Sequence, residues 1–147
     1  MIRRPSPQST LTSPVPSSQL FGPDRTPYDA LGGDAAVRNL VDAFYDRMEN
    51  DPAFAAIRSL HQSDLTAARQ KLYEFLSGWL GGPPLYIQKH GHPRLRARHM
   101  PFAIAEAQRD QWLNCRAKTL DDAGVIGELR QFLDARFAHV ADFMRNQ

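Results

Sequence analysis

Histidines are the side chains here best equipped for chemistry, and of the five in the chain His99 has the most informative neighbours. It closes the run Pro93-Arg-Leu-Arg-Ala-Arg-His99 and is followed by Met100-Pro101. An imidazole on the apolar side of a short helix can ligate a metal through one ring nitrogen while the other donates outward. Around it Arg94, Arg96, Arg98 and Lys89, with the Tyr86 hydroxyl and His92, can meet an anionic group. The same spacing suits a structural histidine beside a solvated basic surface, and the dispersed arginines equally suit a phosphate. Type and spacing leave these readings open.

Other chemistries lack their residues. His90-Gly-His92 has no cysteine or further histidine at zinc-ligand spacing, and the single Cys115 excludes an internal disulfide framework. There is no GxSxG, Walker loop, HExxH or glycine-rich dinucleotide fingerprint. His61 and His139 carry no local signature. The pI near 8.9 suggests an anionic partner, but beyond residue 27 basic and acidic side chains cancel, which argues against a nucleic-acid binder. One window departs from that balance: between Phe75 and Ala105 there is no carboxylate. No apolar run approaches the ~18–20 residues that span a bilayer, so a chain without membrane spans, in a reducing cytoplasm, is expected.

At 147 residues the chain is one domain's worth, long enough to enclose a cofactor. Residues 1–27 are rich in proline and serine and read as a disordered tail, leaving a domain over 28–147. From Tyr28 the periodicity is helical. Asp34 is expected to cap a helix whose stripe is Val37, Leu40, Val41, Phe44, Tyr45 and Met48, ending at Asn50-Asp51-Pro52. A second stripe runs Leu65, Ala68, Leu72, Phe75, Leu76 and Trp79, with Ser63 as cap and Gly81-Gly82 as stop. A third helix is expected from about Pro101, turning Ile104, Trp112 and Cys115 inward. A last one covers about 125–144, with Ile126, Leu129, Leu133, Phe137, Val140 and Met144 on one face. No segment alternates with β-branched enrichment, so the class is all-α.

The stretch 83–101 has too many breakers for a long helix and too many cations for a core element. A short helix from about Pro93 to His99 places Leu95 and His99 on one side. Haem needs one axial imidazole, an apolar slot and cations for two propionates, and this stretch holds candidates for each.

Taken in order, the motifs narrow the choice. Tyr28-Asp-Ala-Leu-Gly-Gly33, Phe44-Tyr45, Phe75-Leu-Ser-Gly-Trp-Leu-Gly-Gly-Pro83, Gly91-His-Pro-Arg-Leu-Arg-Ala-Arg-His-Met-Pro-Phe102 and Arg109-Asp-Gln-Trp-Leu-Asn-Cys115 follow one another with characteristic spacing. Together, over roughly 28–143, they closely resemble the truncated haemoglobins of the second group, the HbO-like branch. The resemblance implies a two-over-two α-helical globin around haem b, with His99 as the iron's proximal ligand. It places Arg98 and Tyr86 at the propionates, joined by Arg94 and Lys89. It makes Tyr45 and Trp112 the distal donors, with His61 or its neighbour Leu60 facing the ligand. Phe44, Ala68, Leu72 and Phe75 complete the distal pocket, with Ala68 leaving an open route where other globins carry a histidine. Arg116 departs from the pattern, which favours an apolar residue there.

The activity implied is binding of oxygen, NO or CO. Its uses would be oxygen transport, NO dioxygenation or peroxidase-like oxidation, the last two with an external electron donor or reductase. The resemblance allows a monomer or homodimer. Two rival readings are a haem-based gas sensor acting through a partner and a haem-free helical module that binds anions.

Overall fold

The computed structural model describes residues 25–100, 102 and 104–146. Most of the expected tail lies outside them, but Pro27 does not. It is buried as the first residue of α1 (Pro27–Leu31), so the folded unit starts before Tyr28. Proline suits that position, and Thr26 Oγ1 caps the turn by accepting from Asp29 N at 3.0 Å.

Four longer helices form the two layers: α2 (Asp34–Asn50), α4 (Thr66–Trp79), α7 (Glu106–Asp122) and α8 (Gly127–Met144). α2 packs on both α4 and α7, and α7 packs on α8, which is the two-over-two arrangement. Between them lie a 3-10 turn at Pro52–Phe54, α3 (Ala55–Arg58), α5 (Leu85–His90) and α6 (Leu95–His99). No strand ladder occurs among the described residues.

The core follows the sequence stripes. Val37, Val41 and Met48 of α2 are fully enclosed with Leu80, Cys115, Leu120 and Leu133. Each such side chain contributes ~1.5–3 kcal/mol of burial, against ~0–1 kcal/mol for an exposed ion pair. Packing therefore outweighs the surface charges in holding the layers together. Cys115 Sγ donates to Phe44 O, and burial pushes its thiol up to about 12, so it acts as a small core residue.

Several expectations at helix ends need correction. Asp34 is the first helical residue, not the cap, and its carboxylate accepts the Tyr73 hydroxyl. Asp64, rather than Ser63, receives the Thr66 N–H at 2.9 Å before α4. α7 starts at Glu106, five residues later than expected, and Pro101 lies outside the described residues. Ile126 precedes α8 and is 79% exposed, because the chain turns at Gly127 before the apolar face begins. α5 had no counterpart in the sequence reading.

The Gly81-Gly82 pair does more than stop α4. Tyr28 N donates to Leu80 O at 2.9 Å, and the Tyr28 ring lies where a Cβ on Gly82 would stand. Only glycine lets α1 close over the end of α4.

Candidate functional site

Between the layers is a cavity of about 270 Å³. His99 enters it from α6, Tyr45 from α2, Trp112 from α7, and both Leu60 and His61 from the loop after α3. Leu72, Phe75 and Trp79 of α4 form one apolar wall, and Phe137 and Val140 of α8 another. Leu72, Phe75 and Trp79 are half-buried because this face of α4 turns to the cavity instead of the packed core.

His99 is held in one tautomer. Its Nδ1 lies 2.7 Å from Leu95 O, and a carbonyl only accepts, so Nδ1 carries the proton and Nε2 keeps its lone pair. The carrier helix has only five residues, too few to persist alone. It is entered through Arg94 at φ 47°, a left-handed conformation that costs a non-glycine residue energy, with Arg94 N donating to His92 Nδ1. Beyond the helix, Asn146 stitches the segment down. Its side-chain nitrogen donates to Phe102 O at 2.8 Å and to His99 O at 3.3 Å, its Oδ1 accepts from Ile104 N at 3.0 Å, and its own N–H reaches Ile104 O at 2.9 Å.

The opposite side is built from aromatic contacts. Tyr45 is edge-on to Phe44 at 5.3 Å and to His61 at 5.7 Å, while Trp112 packs on Phe44 at 5.9 Å and Phe137 at 5.7 Å. Burial pushes the Tyr45 phenol up to about 12, against the opposing Arg69 charge, so it stays protonated and can donate. Among the described residues no hydrogen bond is formed by the Tyr45 hydroxyl or the Trp112 indole N–H, and the only fully buried side-chain nitrogen or oxygen without a partner is Arg116 Nε, so both tips stay accessible within the cavity. His61 differs. Its Nδ1 faces Ile57 O at 2.9 Å and so carries the proton, while burial lowers its pKa and keeps it neutral.

Other expected site residues lie elsewhere. Phe44 lines a smaller apolar cavity of about 30 Å³ behind Leu72 and Trp112. Ala68 is half-buried and packs against the core beside the main cavity's Leu72. Tyr86 is buried edge-on to Phe75 at 6.4 Å, with the Arg98 guanidinium 5.9 Å over its ring, so these two sit together beside the cavity wall. The Arg94 side chain is exposed. Lys89 is drawn to Glu74 at 3.1 Å, and that buried carboxylate also holds His90 and Gln70. Sequence reasoning missed Gln108 and Arg109 in the lining, and Asn146 and Glu74 behind it. Nothing local marks them, because each acts on a segment far along the chain or across a helix seam.

No cluster of three His, Cys, Asp or Glu able to hold a metal ion occurs among the described residues. An isolated imidazole suits instead a metal that brings its other ligands with it. A macrocycle in a largely apolar slot meets that condition, so the residues present fit haem.

The family model for bacterial-like globins matches residues 26–146. The chain belongs to that family. Among relatives of this globin, the group 2 truncated hemoglobin YjbI of Bacillus subtilis is 44% identical over 82% of the chain and 89% of its own length. Two-on-two hemoglobin-3 of Arabidopsis thaliana is 33% identical over 93% of the chain and 79% of its own length. Among solved structures, the cold-adapted truncated hemoglobin of Pseudoalteromonas haloplanktis superposes with a TM-score of 0.81 at 46% identity, covering 84% of this chain and 99% of that one. The group II 2-on-2 hemoglobin of Agrobacterium tumefaciens gives 0.80 at 43%, covering 83% and 95%. The truncated oxygen-avid haemoglobin of Bacillus subtilis gives 0.76 at 43%, covering 83% and 100%. Fold and membership of the group 2 truncated haemoglobins thus agree with the sequence reading, and globin membership implies a haem iron.

Proposed function

We propose that this globin holds haem b through His99 and takes up oxygen, NO or CO on the Tyr45–Trp112 side, for redox chemistry with an external electron donor. The observation that carries this is the pair of inward polar groups lacking protein partners among the described residues: the Tyr45 hydroxyl and the Trp112 N–H. Both line a cavity that also receives His99, whose Nε2 keeps its lone pair. Buried tyrosine and tryptophan ordinarily find hydrogen-bond partners, and an electronegative diatomic would supply one.

When bound, haem would supply an iron with an open coordination position for the gas. His99 would be its protein ligand, with the Leu95 carbonyl fixing the imidazole tautomer. Tyr86 and Arg98 would meet the propionates, with Arg94 at the rim. Lys89 would contribute only by leaving Glu74. Tyr45 and Trp112 act as preplaced donors, and their aromatic packing means they need not reorganise when a ligand arrives. Tyr45 remains a donor across the physiological range because its phenol titrates near 12.

Two donors in a largely apolar cavity slow oxygen release, which suits NO dioxygenation or peroxide-linked oxidation better than oxygen delivery. A solved relative described as oxygen-avid supports that direction. Among the described residues no helix is long and apolar enough to cross a membrane.

The test is absorbance of the purified protein. We expect a Soret band that shifts on reduction and with carbon monoxide and is lost in His99→Ala. A protein that stays colourless after reconstitution with haem would refute the reading. Nitrate formed per NO consumed, with a reductant present, separates dioxygenation from simple carriage.

A further inference from the structure

A second, outer groove of about 480 Å³ lies between the end of α2 and the loop after α3. Its walls mix apolar Met48, Pro52 and Ala55 with Glu49, Asp51 and Arg58, so it carries charged groups that, apart from Arg109, the main cavity lacks. Among the described residues His61 is the only one that lines both spaces. Its ring stands edge-on to Tyr45 on the cavity side, with centroids 5.7 Å apart. His61 therefore borders both a solvent-facing groove and the space shared by Tyr45 and His99.

The loop that carries this ring is fastened at one point. Arg58 donates to Gln62 O and to Ser63 O, each at 2.9 Å, and reaches Glu49 on α2 at 3.4 Å. His61 N also bonds Arg58 O at 3.1 Å, and the ring is anchored by Nδ1 to Ile57 O. The guanidinium thus holds the two residues that follow His61, and its remaining contact is with the opposite lip of the groove. The loop lies outside any helix, so rotation of the imidazole breaks one ring hydrogen bond and no helical ladder.

We propose that His61 is a door and Arg58 its latch, and that water and small polar ligands reach the cavity through this groove. The proposal rests on the haem reading above for what such a ligand meets inside. The door is steric: what matters is the bulk of the ring. It therefore differs from a hydrogen-bonding role for the same residue.

The experiment uses the haem-loaded full chain in the ferric state, with sodium azide as probe and stopped-flow absorbance as readout. His61→Ala removes the ring, and azide association should speed up by about tenfold, as for a door whose open state is populated at no more than about a tenth. His61→Phe keeps the bulk without the nitrogens and should stay near the wild-type rate. Arg58→Ala should fall between, and amide hydrogen exchange of residues 60–63 should quicken in that variant, a readout that needs neither iron nor azide. Unchanged azide rates in His61→Ala with full Soret absorbance would overturn the door. So would acceleration in His61→Phe equal to that in His61→Ala, since the nitrogens and not the bulk would then be responsible. Unchanged loop exchange in Arg58→Ala would remove the latch. Loss of the Soret band in all variants and wild type would instead count against the haem assignment.

Discussion

The two sides of the cavity are built on opposite principles. His99 rides on a five-residue helix secured by hydrogen bonds between backbone and side chains: its own to Leu95, Arg98 to Pro93, and the cluster on Asn146. Tyr45 and Trp112 sit mid-way along seventeen-residue helices and are fixed by aromatic contacts, leaving their polar tips unpaired among the described residues. Where the carrier is short, polar bonds must supply the rigidity that a long helix gains from packing. Where packing already holds the ring, the polar group is left over for a ligand. The first arrangement fixes a position, and the second keeps donors in reserve.

That contrast can be broken from either side. The largest effect is expected at His99: His99→Gly should lose the Soret band, and imidazole added to the solution should restore it if the residue serves only as an axial nitrogen. Next come the reserved donors. Tyr45→Phe and Trp112→Phe should each speed oxygen release by ~10–100-fold, since a charge-assisted hydrogen bond contributes ~1.5–3 kcal/mol. Tyr45→Phe should leave thermal stability almost unchanged, because no described protein partner is lost. A marked fall in melting temperature would show that the hydroxyl is structural.

Asn146→Ala should do the reverse. It strips the bonds at His99, Phe102 and Ile104, and stranding such groups costs about 1–3 kcal/mol. Haem transfer to an acceptor protein should accelerate severalfold, and the Ile104 amide should exchange faster, with oxygen release little altered. If oxygen release moved as much as haem loss, the division between the two sides would not hold.

The smallest effect lies at the seam between α4 and α5. Desolvation pushes the Glu74 carboxyl up, but hydrogen bonds from Gln70, Lys89 and His90 outweigh it and hold it below its ordinary value. A depressed carboxylate stabilises the fold fully above its unfolded value of about 4.3, and that contribution fades as pH falls through the folded value. Acid unfolding followed by circular dichroism should show a shallower limb below about pH 4 in Glu74→Gln than in wild type. Parallel limbs would remove Glu74 from the account.

Much of the fold was legible in periodicity. Val37, Val41, Phe44, Tyr45 and Met48 are buried as their spacing demands, and the breakers at Asn50-Asp51-Pro52 and Gly81-Gly82 do end helices. The ordered motifs pointed to His99, Tyr45 and Trp112, and these three do meet in one cavity. Ile126 was misplaced because it matches the helical period one residue before the helix starts. Ala68 turns inward as its place on the stripe demands and packs against the core.

Identity and spacing along the chain are local properties, and they were enough for helix faces, for a breaker-rich basic segment and for the ordered motifs around one imidazole. Tautomer, donor or acceptor character and the partition between spaces depend on atoms remote in sequence or on how a loop is folded back. The carbonyls of Leu95 and Ile57 set the proton positions on His99 and His61. Asn146 reaches back 47 residues to hold the histidine's carrier. Hydrogen bonds act only over a few ångströms, so these decisions waited on the packed chain.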